Sequence, residues 1–123
     1  MKQVRFDQMT VDQLVDHFVK LALAQDHALL GGEISRYNEL FREMTALKDE
    51  LKSRAGDQRS ALIRLFDYPN PQVRLMSAKA TLAVAPEQAR RALEVLAKSK
   101  QYPQAGDAGM SLWTLDEGIF KPT

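Results

Sequence analysis

The chain has 123 residues, with 17 Lys and Arg against 16 Asp and Glu, and no cysteine. That excludes disulfide stapling, thiolate catalysis and Cys-ligated zinc, and is compatible with a reducing cytoplasm. Hydrophobic residues at 45% and charged residues at 27% describe one ordinary globular domain over 1–123, with no apolar run near the roughly 20 residues that span a bilayer.

The opening MKQVRFDQMT has no apolar core and does not read as a secretory signal; residues 1–9 read as a loose N-terminal tail. Thr10 with Gln13 then forms a capping-box pattern, with Asp12 at the positive end of a helix dipole. Val11, Leu14, Val15, Phe18 and Ala22 recur at helical spacing, so a first helix runs to Leu29 or Leu30, where Gly31-Gly32 stops it. A second helix is predicted from about Glu33 to Arg54 on the stripe Tyr37, Leu40, Phe41, Met44, Leu47 and Leu51, ended by Gly56.

Asp57 is placed to cap a third helix, with Ala61, Leu62, Leu65 and Phe66 facing inward and an end near Asp67, because Pro69 pushes its predecessor out of helical space. Asn70 suits an N-cap and Pro71 the first helical position, so a fourth helix is predicted to about Val84. Pro86 starts a fifth, to about Lys100. Pro103 opens a sixth, with Ala105, Ala108, Gly109, Leu112 and Leu115 at helical spacing, Gly118 past its end and Ile119 placed to pack back on the last turn. Leu and Ala together number 31 against 15 for Val, Ile and Thr, which also favours an all-α fold.

Pro71-Gln72 recurs as Pro103-Gln104 at a spacing of 32 residues, within the range of α-solenoid repeats. The expectation is an all-α, α-α superhelix of the HEAT/armadillo type, about six helices in antiparallel pairs, with a shallow concave surface lined largely by the second, fourth and sixth.

Charge is segregated. Residues 1–51 carry a net −3, residues 52–100 a net +6 and residues 101–123 a net −2. The basic block suggests a patch for an acidic partner, whereas solvated helix faces whose charges compensate in space would give the same pattern. Arg59, Arg74, Lys79, Arg90, Arg91 and Trp113 are therefore the candidate partner-binding residues. Gln25, Asn38, Asp67 and Asp107 are candidate structural polar groups. Gln25, Tyr37, Asn38 and Arg59 are expected to form a hydrogen-bonded cluster or to line a small groove. Arg74 is expected to pair with Asp67 or Asp107 in an internal ladder.

Two glycines within Ala105-Gly106-Asp107-Ala108-Gly109 cost a helix about 2 kcal/mol relative to alanine. They predict close backbone approach to a neighbouring helix or, as the rival reading, an anion site at the helix start. This is no dinucleotide loop, since no strand precedes it and the third glycine is missing. His17 and His27 have no metal spacing, and no serine sits in a G-x-S-x-G turn. No catalytic, metal or cofactor-binding residue is assigned; the chain is expected not to be an enzyme and to need no cofactor.

The segments AQDHALLGG, RYNELF, GDQR, NPQVRL, ATLAVAPEQAR and PQAGDAGMSLWTLDEGIFKP, spread over Leu14 to Pro122, resemble the small bacterial domain-of-unknown-function family numbered twenty-nineteen. The resemblance implies a HEAT-like helical repeat and no assigned activity. With it, the expected role is a cytoplasmic, non-enzymatic protein–protein interaction module, in one form an immunity-type protein masking an acidic surface. The partner would be another protein with such a surface, and the chain a monomer or weak homodimer away from membranes. The alternative is a nucleic-acid-binding helical repeat using the 52–100 block, which would show a steep salt dependence.

Overall fold

The computed structural model describes residues 5–123, and every regular element among them is helical. Five α-helices follow in chain order: α1 (Val11–Leu30), α2 (Ile34–Ser53), α3 (Pro71–Ala80), α4 (Pro86–Lys98) and α5 (Gln104–Asp116). Two 3-10 segments, Phe6–Gln8 and Gln58–Asp67, complete the set. By its internal contacts the chain forms two compact units, one through Ala61 and one from Leu62.

The first unit is an α1–α2 hairpin. Thr10 and Gln13 exchange the two hydrogen bonds of a capping box, at 3.1 and 2.8 Å, which satisfies two orphan donors at the start of α1. Gly32, at φ +69°, closes α1: the Glu33 amide donates to the Ala28 carbonyl at 2.9 Å and the Gly32 amide to Leu29 at 3.2 Å, the paired bonds of a Schellman end. Leu14, Phe18, Leu47 and Leu51 are wholly buried, each contributing about 2 kcal/mol of apolar transfer. Of the expected tail, residues 1–4 lie outside the described residues, whereas Phe6–Gln8 is tied down. The Phe6 carbonyl accepts from Arg54 Nη2 at 3.0 Å, and its ring meets the His17 ring edge-on at 5.5 Å.

The third predicted helix is a 3-10 segment rather than an α-helix. Its fully buried positions are Arg59, Leu62 and Leu65, a period of three, which matches the three residues per turn of a 3-10 helix. A stripe at 3.6 residues per turn would have drawn Phe66 inward as well; Phe66 is only half-buried.

In the second unit α3, α4 and α5 each pack on the other two. Asn70 caps α3, its side chain accepting from the Gln72 and Val73 amides at 2.8 and 3.3 Å, and Pro71 fills the first turn. The fourth helix ends at Ala80, short of the predicted Val84. There the Thr81 hydroxyl binds the Ser77 and Ala78 carbonyls at 2.9 and 3.1 Å, competing with the backbone ladder. Pro86 in turn keeps Ala85 extended at φ −144°.

Both Pro-Gln dipeptides lie at helix starts, Pro71 as the first residue of α3 and Pro103 one position earlier, as the residue that caps α5, and their glutamines meet: Gln104 Nε2 donates to Gln72 Oε1 at 3.0 Å, with both residues buried. Gly118, at φ +69°, ends α5 in a second Schellman motif through Ile119 to Thr114 (3.0 Å) and Gly118 to Leu115 (3.2 Å). Ile119 itself does not fold back on the core; it stays 65% exposed.

Candidate functional site

Most of the cations predicted to face a partner are held within the chain. Arg59 is buried and grips Asp57 with Nε and Nη2 at 2.8 and 2.6 Å, while its amide donates to the same carboxylate at 3.3 Å. These direct hydrogen bonds hold the Asp57 carboxyl below the usual carboxylate range and raise the Arg59 guanidinium further. Lys79 Nζ lies 3.1 Å from Asp107 Oδ1, which also accepts from the Ser111 hydroxyl at 3.3 Å. Arg90 reaches Asp116 at 2.8 Å and Glu94 at 3.7 Å.

The ladder predicted for Arg74 is not formed with either acid. Arg74 Nη2 donates to Gln101, Asp107 is taken by Lys79, and Asp67 is exposed in the turn before Pro69. The reason is geometric: Lys79 lies on α3 opposite Asp107, whereas Arg74 sits nearer the helix start, beside the loop that carries Gln101. Arg91 is exposed on the outer side of α4. Acids of the flanking segments, Glu50, Asp107 and Asp116, thus directly contact Arg54, Lys79 and Arg90 of the 52–100 block.

Of the polar cluster predicted around Gln25, Arg59 is taken up by Asp57 and Asn38 points to solvent. Gln25 is fully buried, with Nε2 3.7 Å from Met44 Sδ, and Tyr37 stacks on Phe41 at 6.5 Å. A shallow hollow of about 200 Å³ at the α1–α2 corner is lined by Ala28, Leu29, Gly32, Glu33, Ile34 and Tyr37.

The outer face of α5 carries the most distinctive surface. The inner face is fixed by buried Gln104, Ala105 and Ala108. Gly106, Gly109, Met110, Trp113 and Glu117 share the opposite side, by the 100° step of a helix. Met110 is 60% and Trp113 52% exposed, and Tyr102, just before the helix, is 70% exposed. The predicted close approach of a neighbouring helix at the glycines is absent. A Cβ on Gly109 would meet nothing within 4 Å, and one on Gly106 would meet only the Tyr102 ring at 3.8 Å. The glycines therefore leave a flat strip beside large apolar side chains rather than a packed crossing.

Next to it, Lys79, Leu82, Ser111, Thr114 and Phe120 line a hollow of about 260 Å³, and Leu82, Ala83, Pro86, Arg90, Leu115 and Pro122 another of about 350 Å³. Both walls are largely apolar. Among the described residues no group of three His, Cys, Asp or Glu side chains could hold a metal ion, and no helix is long and apolar enough to cross a membrane.

Residues 12–116 match the domain of unknown function DUF2019. The chain belongs to that family. A solved structure, that of the protein RPA1889 from Rhodopseudomonas palustris CGA009, is similar to this DUF2019 chain at 57% identity and a TM-score of 0.95, covering 98% of this chain and 100% of that one. No curated protein matches.

Within this DUF2019 chain, sequence reasoning singled out Trp113 but not its neighbours Met110 and Tyr102. For Met110 the signal was available: with Gly106 and Trp113 it falls on one side of the helix, opposite Gln104, Ala105 and Ala108, whereas Tyr102 precedes the helix and no periodicity places it. The Gln72–Gln104 bond was signalled by the 32-residue recurrence. Asp57 was recognised as a cap, and its grip on Arg59 two residues later was not.

Proposed function

We propose that this chain is a non-enzymatic protein–protein interaction module, and that the outer face of α5 is its docking surface. One observation carries the reading: Met110 and Trp113 stand exposed on a helix whose other side is locked into the second unit, and Tyr102, just before that helix, is exposed beside Gly106. Together they present roughly 400 Å² of exposed surface, much of it apolar, taking aromatic side chains at up to about 250 Å² each. That is as large as the biggest patch on a typical monomer, and such patches are commonly functional. Tyr, Trp and Met are also the residues that protein interfaces favour.

This moves the docking surface away from the cations. Arg59, Lys79 and Arg90 make close ion pairs and Arg74 a side-chain hydrogen bond, which counts against a free basic row tracking a phosphate backbone. Trp113 remains in the partner-binding set, joined by Met110 and Tyr102.

The test is a photo-crosslinking amino acid placed at position 113 and, as a control on an exposed polar face, at position 88, in cells of the native host. Adducts to protein at 113 and none at 88 are expected, with the captured chain identified by mass spectrometry. Equal adducts at both positions, or none at 113, would overturn the assignment of α5.

A further inference from the structure

The geometry points to a second copy of this chain as the occupant of the α5 face, docked antiparallel about a two-fold axis near Met110. This rests on the reading of that face as a docking surface and names its partner. An isologous interface must be self-complementary: wherever residue i meets residue j, j meets i. The face meets that condition. Gly106 lies four residues before Met110 and Trp113 three residues after it, so an antiparallel copy sets each indole over the other's glycine strip. No Cβ stands there: at Gly109 nothing lies within 4 Å of where one would be, and at Gly106 the Tyr102 ring lies 3.8 Å from it, so the indole settles beside that ring. Large against small at matching offsets lets the helix axes approach to about 8 Å, the close end of helix packing.

Charge follows the same symmetry. Glu117 is exposed at the C-terminal end of α5, and Lys100 is exposed just before its N-terminal end. Antiparallel docking brings Glu117 of each copy toward Lys100 of the other, and sets each helix's negative end beside its partner's positive one. A parallel arrangement would oppose Glu117 to Glu117. The other acids of this helix, Asp107 and Asp116, are already held by Lys79 and Arg90.

The area sets the affinity. Two copies of a roughly 400 Å² patch, with the glycine strip and chain ends between them, bury on the order of 1,000 Å², the low end for a specific interface. The expected dimer is therefore weak, with a Kd of about 10–100 μM.

Sedimentation velocity of the full chain from about 1 to 500 μM tests this, together with emission from Trp113, the single tryptophan. A reversible dimer with a concentration-dependent blue shift is expected. Met110→Glu, which sets like charges at the axis, should abolish it while leaving the thermal melt unchanged. Lys100→Glu and Glu117→Lys should each weaken it about fivefold, and the double reversal should restore it. A monomer throughout, or a dimer indifferent to Met110→Glu, would overturn the proposal. A dimer lost in Met110→Glu but not recovered by the double reversal would overturn the antiparallel register. The two readings fail separately: adducts at position 113 to a different protein, with a concentration-independent monomer, would sink the self-association and leave the module standing.

Discussion

Replacing Asp57 by asparagine removes one charge from the Asp57–Arg59 pair and little else. Asparagine tolerates the left-handed backbone found at Asp57 (φ +51°) and keeps an acceptor for the Arg59 amide. The guanidinium that remains is 7% exposed, whereas the carboxylate was 31% exposed. Breaking a buried pair costs about 3–5 kcal/mol and an exposed one less than about 1, so this mixed pair should cost about 2 kcal/mol. Asp57→Ala adds the loss of the cap and of the local side-chain hydrogen bonding by which aspartate tolerates a positive φ, for about 3 kcal/mol in all. The folded state holds the Asp57 carboxyl below its unfolded value. Its stabilisation is therefore complete above the unfolded value near pH 4 and is lost as pH falls through the lowered folded one. Urea unfolding followed by circular dichroism should show wild type ahead of Asp57→Asn by about 2 kcal/mol at neutral pH, a gap that narrows toward about pH 3. A neutral-pH gap under about 0.5 kcal/mol, or one that stays the same in acid, would refute the reasoning.

Three further outcomes follow from the packing. Gln72→Leu and Gln104→Leu each remove a buried hydrogen-bonding group and should cost about 1–3 kcal/mol; a double-mutant cycle should show coupling of at least about 0.5 kcal/mol, and strict additivity would deny that the 3.0 Å bond matters. Gly109→Ala should stabilise a dilute sample by about 0.5–1 kcal/mol, since a Cβ there meets nothing within 4 Å; destabilisation in a thermal melt would revive the packed-glycine reading. Asn70→Ala should lower stability by about 1 kcal/mol through two lost capping bonds, and an unchanged urea midpoint would show that water replaces the cap.

Most of the fold was legible because its signals are local. The capping box at Thr10, the Asn70-Pro71 start and the Gly32 and Gly118 stops each depend on residues within one turn of one another, and each appears where the sequence places it. The 3-10 character of Gln58–Asp67 was hidden because Leu62, Leu65 and Phe66 suit either helical period; only burial at steps of three separates them. The Thr81 stop was hidden because a threonine inside an apolar run reads as neutral until its hydroxyl finds a backbone carbonyl. Side-chain partnering was least legible. Arg74 and Lys79 lie five residues apart on one helix, and which of them reaches Asp107 depends on how α3 and α5 slide against each other, which spacing does not encode. The α5 surface fell between the two cases: its glycines stood out, and the inference drawn from them failed because no neighbouring helix of the chain comes close to them.

The buried Gln72–Gln104 contact differs in kind from the ionic ones. A carboxamide offers a donor and an acceptor at once, so two copies of the same residue can meet, one donating and the other accepting, without any change of sequence. A carboxylate needs a cation to have evolved opposite it, and its hold disappears in acid; an amide pair keeps its hold at any acidity the backbone survives. A helix start duplicated at a step of 32 residues therefore arrives with its mate already supplied, and this contact, unlike the Lys79–Asp107 pair between the same two helices, does not depend on pH.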